Sequence, residues 1–149
     1  MTKLPNLSLD KHLCFSLYAA SRAILRLYRP YLDEIELTYP QYLVLMVLWE
    51  QNEVTVKSLG ERLDLDSGTL TPMLKRMETR GLLKRQRAED DERVVIIRLT
   101  EEGKALKDKA TCIPKSLLES TGLSEKEVEE FNGTVKKILS VVNAVTKDQ

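Results

Sequence analysis

The stretch LDSGTLTPMLKRMETRGLLKRQRAEDDERVVIIRLT, from Leu65 to Thr100, constrains the fold more than any other part of the chain, because a short polar helix start is followed directly by a basic hairpin. Ser67, Thr69 and Thr71 put hydroxyls at the beginning of a helix that turns basic at Lys75 and Arg76. Leu82 to Arg98 then reads as two strands. Their connection, Ala88 to Glu92, is short and rich in acids, and Arg93 follows at once. Helix, hairpin and the order between them are the layout of a helix-turn-helix with a β-wing. In that layout the leading end of the helix can donate hydrogen bonds to phosphates and base edges of a duplex.

Composition bounds this reading without carrying it. With 149 residues, 42% hydrophobic and 31% charged, the chain has room for one domain with a substantial core. Lys and Arg number 23 and Asp and Glu 23, a formal net charge of zero, so a DNA-binding expectation must rest on local distribution. From Lys75 to Arg87 the bases are Lys75, Arg76, Arg80, Lys84, Arg85 and Arg87, against the single acid Glu78. No basic-then-apolar secretory pattern is seen, and no apolar run approaches the roughly 18 to 20 residues of a membrane span. The expectation is a cytoplasmic protein with no membrane partner, in which Cys14 and Cys112 are reactive or buried thiols and not a disulfide framework. His12 is the only histidine, so no histidine cluster is available for metal, and neither metal nor cofactor is expected.

The rest of the chain reads as helices on both sides of this lobe. Apolar residues recur at helical spacing from Leu9 to Glu36, with Ser8 as N-cap and Pro30 expected to kink or break the helix near its end. Thr38 and Pro40 start a second helix whose body, Tyr42 to Trp49, is almost wholly apolar and must be buried. Thr55 caps a short third helix. Asp66 or Ser67 opens the next, which stops at Gly81, although Thr71 with Pro72 is an alternative start. Thr100 begins another helix, with Glu101 and Glu102 in its first turn and Pro114 bending or ending it. Ser124 and Glu127 cap a last helix with the stripe Val128, Phe131, Val135, Ile138, Val142 and Val145. Too few neighbours remain within one chain to cover that stripe.

The expected architecture is therefore mainly α with a small β-wing, a single domain over residues 1–149. Residues 37–100 form the winged helix-turn-helix lobe, and residues 1–36 and 101–149 supply helices that pack against a second copy. A two-fold homodimer would set two recognition helices about one DNA turn apart, roughly 34 Å, and would match a pseudo-palindromic operator in double-stranded DNA.

The chain resembles the MarR-type winged-helix regulators over nearly its whole length, and within them the OhrR branch, which senses organic hydroperoxides. The resemblance is carried by LCFSLYAASRAILRLYRPYL from Leu13, LTYPQYLVLMVLWE from Leu37, LGERLDLDSGTLTPMLKRME from Leu59 and DERVVIIRLTEEG from Asp91. It implies a homodimeric repressor that occupies its operator when reduced and leaves it when Cys14 is oxidised, with an organic hydroperoxide as inducer. It also implies that Tyr28 and Tyr39 donate hydrogen bonds to the Cys14 sulfur. Along one continuous helix Cys14 and Tyr28 would stand about 21 Å apart, so the tyrosines must come from the partner chain. Cys14 itself is expected in the second turn of the first helix, where the dipole helps a thiolate only modestly. Attack on the peroxide would leave a sulfenic acid and release an alcohol. Cys112 is the candidate resolving thiol, but two-cysteine members carry theirs beyond the proline matching Pro114, and Cys112 precedes it. Phe15, Leu17, Met46 and Trp49 could favour peroxides with organic tails.

On the DNA side, Ser67, Thr69, Thr71, Lys75 and Arg76 are expected in or beside the major groove and Lys84, Arg85 and Arg87 on phosphates. Arg93 should enter the minor groove from the wing, braced by Asp91. The alternative function is a MarR-type repressor released by a phenolic or lipophilic ligand without thiol chemistry. An enzyme such as a thiol peroxidase ranks last, since no second acid/base constellation accompanies Cys14 and the distinctive residues serve DNA.

Overall fold

In a computed structural model that describes residues 7–147, a 3-10 turn at Leu9–Lys11 leads into α1 (Leu13–Glu34), followed by α2 (Tyr39–Gln51), β1 (Glu53–Thr55), α3 (Val56–Leu63) and α4 (Ser67–Thr79). Then come β2 (Leu83–Arg87), β3 (Val95–Leu99), α5 (Glu101–Ala110), α6 (Ile113–Thr121) and α7 (Glu125–Lys147). The chain forms two compact units, one up to Thr111 and one from Cys112. Mainly α with a small β-wing is thus the observed class. The strands form one antiparallel sheet in the order β1-β3-β2. The three-residue β1 has no counterpart in the sequence reading. It pairs Val54 with Ile97 and turns the two-stranded wing into a sheet whose central strand is β3.

The first unit is built on α2, whose Val44, Leu45 and Leu48 are fully buried. A helix apolar on every side must lie inside. Thr38 caps it, accepting from the Gln41 backbone N–H while the Gln41 side chain accepts from the Thr38 N–H, and Pro40 fills an early position that needs no donor. Leu59 of α3, Leu70, Leu74 and Met77 of α4, Leu83 of β2 and Ile97 of β3 complete the core. The helix-turn-helix is drawn tight at Gly60, where a Cβ would stand 2.7 Å from the Leu65 carbonyl oxygen. In the second unit Gly122, at φ +71, ends α6, and Ser124 caps α7 by accepting from the Glu127 N–H. Ile113 and Leu117 of α6 are buried, whereas Val128, Phe131, Val142 and Val145 on α7 are exposed.

Three proline expectations resolve differently. Pro30 does not break α1, which runs on to Glu34, its last turn held by burial of Leu32 and Ile35 and by a Schellman closure. In that closure Leu37 N–H donates to the Leu32 carbonyl at 3.0 Å, with Glu36 at φ +54. Pro72 lies inside α4, so Asp66 is the cap and the alternative start at Thr71 is excluded. Pro114 does not bend α5, which ends at Ala110; it sits in the first turn of α6, where its missing N–H costs nothing. Ser8 precedes the 3-10 turn without a capping bond, and α1 begins only at Leu13.

Candidate functional site

α4 carries the residues expected to face DNA. Asp66 accepts from the Thr69 N–H at 2.7 Å and fixes where the helix begins. Leu70, Met73, Leu74 and Met77 are buried at spacings of three and four, which leaves Ser67, Thr69, Lys75 and Arg76 exposed and Thr71 partly covered. Lys75 and Arg76 therefore share the outward face of the helix. Its far end closes at Gly81, φ +87, through Leu82 N–H donating to the Met77 carbonyl at 3.0 Å.

The wing divides the basic run. Across the β2–β3 ladder Arg85 stands opposite the buried Ile97 and Lys84 opposite Arg98, so Arg85 and Lys84 lie on opposite faces. Arg85 is turned toward α4 and held by Glu78, which accepts from the Arg85 backbone N–H at 2.7 Å and from its Nε at 3.3 Å. Those bonds, the backbone one first, hold the Glu78 carboxyl below its usual range. Arg87 donates to the Glu92 carbonyl across the base of the tip at 2.7 Å. Lys84 is exposed on the other face. At the tip Arg93 is 91% exposed, and its Nε and Nη2 donate to the two Asp91 oxygens at 3.1 and 3.3 Å. The Asp91 carboxyl also accepts from the Arg93 backbone N–H at 3.0 Å and is held below its usual range, chiefly by the side-chain bonds. The guanidinium is braced yet still projects into solvent.

Cys14 is the second residue of α1 and is exposed. This corrects the expected second turn: with the helix starting at Leu13, the sulfur belongs to the first turn, where backbone N–H groups have no intrahelical acceptor. Leu13, Phe15, Tyr18, Ile24 and Leu25 of the same helix are also exposed. Because α1 is continuous from Leu13 to Glu34, Cys14 and Tyr28 of one chain stand about 21 Å apart along it. Tyr28 instead meets Tyr39, ring centroids 5.0 Å apart, and both meet Tyr42, at 5.9 and 6.2 Å. Burial, then the proximity of Tyr39 and Tyr42, pushes the Tyr28 phenol up to about 12; burial raises Tyr39 and Tyr42 as well. All three hydroxyls keep their protons at neutral pH and can donate. Cys112 is exposed at the N-cap position of α6.

Three participants escape the sequence reading. Tyr42 reads there as an ordinary aromatic, though its spacing of three from Tyr39 on α2 is the signal that joins it to the cluster. Trp49, expected as pocket lining, packs edge-on against Tyr42 at 6.2 Å and commits its indole N–H to the Gly103 carbonyl at 2.9 Å. Arg80, in sequence only one member of the basic run, donates to the Ile35 and Glu36 carbonyls at the end of α1. Nothing local in sequence foretells that bond. Phe15 and Met46 are exposed and Leu17 is partly covered.

Residues 26–110 match the family model for the transcriptional regulator SarA/Rot. The chain is 48% identical over 141 residues to the organic hydroperoxide resistance transcriptional regulator of Bacillus subtilis, covering 95% of this chain and 96% of that one. Among solved structures, reduced AbfR bound to DNA superposes with a TM-score of 0.71 at 42% identity, covering 88% of this chain and 95% of that one. AbfR of Staphylococcus epidermidis is also known in a disulfide form, matched here with a TM-score of 0.61, 40% identity and coverages of 88% and 92%. A mutant MarR from E. coli complexed with operator DNA gives a TM-score of 0.79 at 26% identity, with coverages of 91% and 99%.

Proposed function

The chain belongs to the MarR-type winged-helix transcriptional regulators, in the organic hydroperoxide-resistance branch, and from that membership we propose that it is a homodimeric, cytoplasmic repressor released from its operator by oxidation of Cys14. The observation that carries this reading is the placement of an exposed thiol in the first turn of a helix whose apolar side chains are uncovered. A thiolate there faces the positive end of the helix. Tyr28, and Tyr39 and Tyr42 packed against it, lie too far from Cys14 in the same chain to donate to it, so a second copy laid against α1 supplies them. Reduced, the dimer holds α4 and the wing on a pseudo-palindromic site. Ser67, Thr69, Thr71, Lys75 and Arg76 serve the major groove, Lys84 and Arg87 serve phosphates, and Arg93 with Asp91 serves the minor groove. Arg85, tied to Glu78, acts by holding β2 to α4 and only secondarily as a phosphate contact.

In the sensing step the Cys14 sulfur attacks one peroxide oxygen. An S–O bond forms and the O–O bond breaks; the other oxygen leaves as alkoxide and takes a proton to become the alcohol. Sulfur loses two electrons and is left as sulfenic acid. Cys112 is not required for this step. Non-reducing electrophoresis of oxidised protein, with and without Cys112→Ser, decides whether it then closes an intersubunit disulfide.

Fluorescence anisotropy on operator DNA tests the whole reading, using reduced wild type and Cys14→Ser before and after stoichiometric cumene hydroperoxide. Only the wild type should let go, and dithiothreitol should restore it. Release of both proteins, or of neither, would make the thiol structural and leave a bound phenolic or lipophilic ligand as the inducer.

A further inference from the structure

The tyrosine cluster does not end at Tyr42. Tyr42 meets the ring of Trp49 edge-on, and the Trp49 indole N–H donates to the Gly103 carbonyl at 2.9 Å. Gly103 is buried against the Leu82 carbonyl and the Leu99 side chain so closely that a Cβ would overlap both. Its N–H donates to Thr100 Oγ1 at 3.1 Å, and that hydroxyl donates to the Gly81 carbonyl at 2.6 Å. Gly81 is the residue at which α4 reverses into β2. An unbroken series of contacts thus runs from the tyrosines to the corner between recognition helix and wing. Arg80 supports the same corner from the end of α1, through the Ile35 and Glu36 carbonyls. Of the two supports, only the one through Trp49 passes the tyrosines.

Resting on the hydroperoxide-switch reading above, we infer that Trp49 is a positioning residue that transmits rearrangement of Tyr28, Tyr39 and Tyr42 to the Gly81 corner. Groups joined contact by contact can pass a displacement along the series, each ring or backbone group moving against the next. The link most open to test is the indole N–H. It is the only side-chain hydrogen bond joining the aromatic cluster to α5 among the described residues, and phenylalanine keeps a ring against Tyr42 while removing the donor.

The experiment compares wild type and Trp49→Phe for operator affinity in the reduced and oxidised states and for thiol loss at Cys14. The variant should bind the operator nearly as well when reduced and should lose its Cys14 thiol at the wild-type rate. Its loss of affinity on oxidation should shrink by about tenfold, within the usual range of a coupling between sites. A purely structural role would instead lower melting temperature and reduced-state affinity while leaving the ratio of oxidised to reduced affinity unchanged, and that result overturns the inference. If wild type is not released by hydroperoxide, the switch reading falls and this inference with it; if wild type is released and the variant equally so, only the inference falls. Trp49 is the sole tryptophan, so intrinsic emission gives a second measurement that does not depend on the folding of Trp49→Phe. Oxidation should shift wild-type emission and leave Cys14→Ser unmoved; an unchanged wild-type spectrum counts against transmission.

Discussion

Tyr28 shows how one side chain can be tuned by its surroundings without any charged partner. Burial and two neighbouring phenols disfavour its anion, raising the group from 10.0 to about 12. Between those values the unfolded chain releases a proton that the folded chain retains, so the contribution to stability is fully present below pH 10 and is lost as pH rises through about 12. The difference between wild type and Tyr28→Phe in absorbance at 295 nm should show a phenol ionising near pH 12; a midpoint near 10 would contradict the packing described. At this scale Cys14, Tyr28 and Tyr39 stand out in the sequence only through the family resemblance, since a lone cysteine or tyrosine on an apolar helix reads by itself as ordinary packing. The bonds of Trp49 and Arg80 do not stand out at all, since each reaches a backbone carbonyl 44 or more residues away.

At the scale of elements, the wing converts sequence alternation into geometry. A run of bases from Lys84 to Arg87 looks like one cationic surface, yet strand period two sends Lys84 to one face and Arg85 and Arg87 to the other. Arg93 owes nothing to that alternation. It sits in the connecting loop, oriented by Asp91, with its guanidinium in solvent. Arg93→Ala should weaken operator binding by about 1–3 kcal/mol while leaving melting temperature unchanged, because the side chain covers no core. Anisotropy titrations with unaltered affinity would remove the wing from the DNA interface. Helix boundaries were largely readable from caps at Thr38, Thr55, Asp66, Thr100 and Ser124, each of which accepts a backbone N–H in the structure. The third strand was not, because β1 has only three residues and exists by pairing with β3, more than 40 residues further along.

For the whole molecule, uncovered apolar surface is what supports the proposed homodimer. Phe131 is 63% exposed and Val145 59% on α7, and Leu13 and Ile24 are exposed on α1. Burying such a side chain fully is worth about 1.5–3 kcal/mol, so several together can drive a second copy into place. Sedimentation velocity should give twice the mass of one chain, and Phe131→Glu should move the protein toward monomer and weaken operator binding in parallel. A monomeric wild type would exclude the shared sensor. What the amino-acid order determined by itself was the class of elements, most of their caps and the amphipathic pattern of α4, since all of these follow from periodicity and neighbours within a few positions, whereas the roles of Cys14, Tyr28 and Tyr39 rest on the family resemblance. Only the tertiary structure decided that Pro30 and Pro72 lie within helices, that Arg85 turns inward to Glu78, and that the tyrosines, Trp49 and Gly81 form one continuous packed path. Those outcomes depend on long-range burial and on hydrogen bonds between distant backbone groups, which outweigh local preference and leave no local trace.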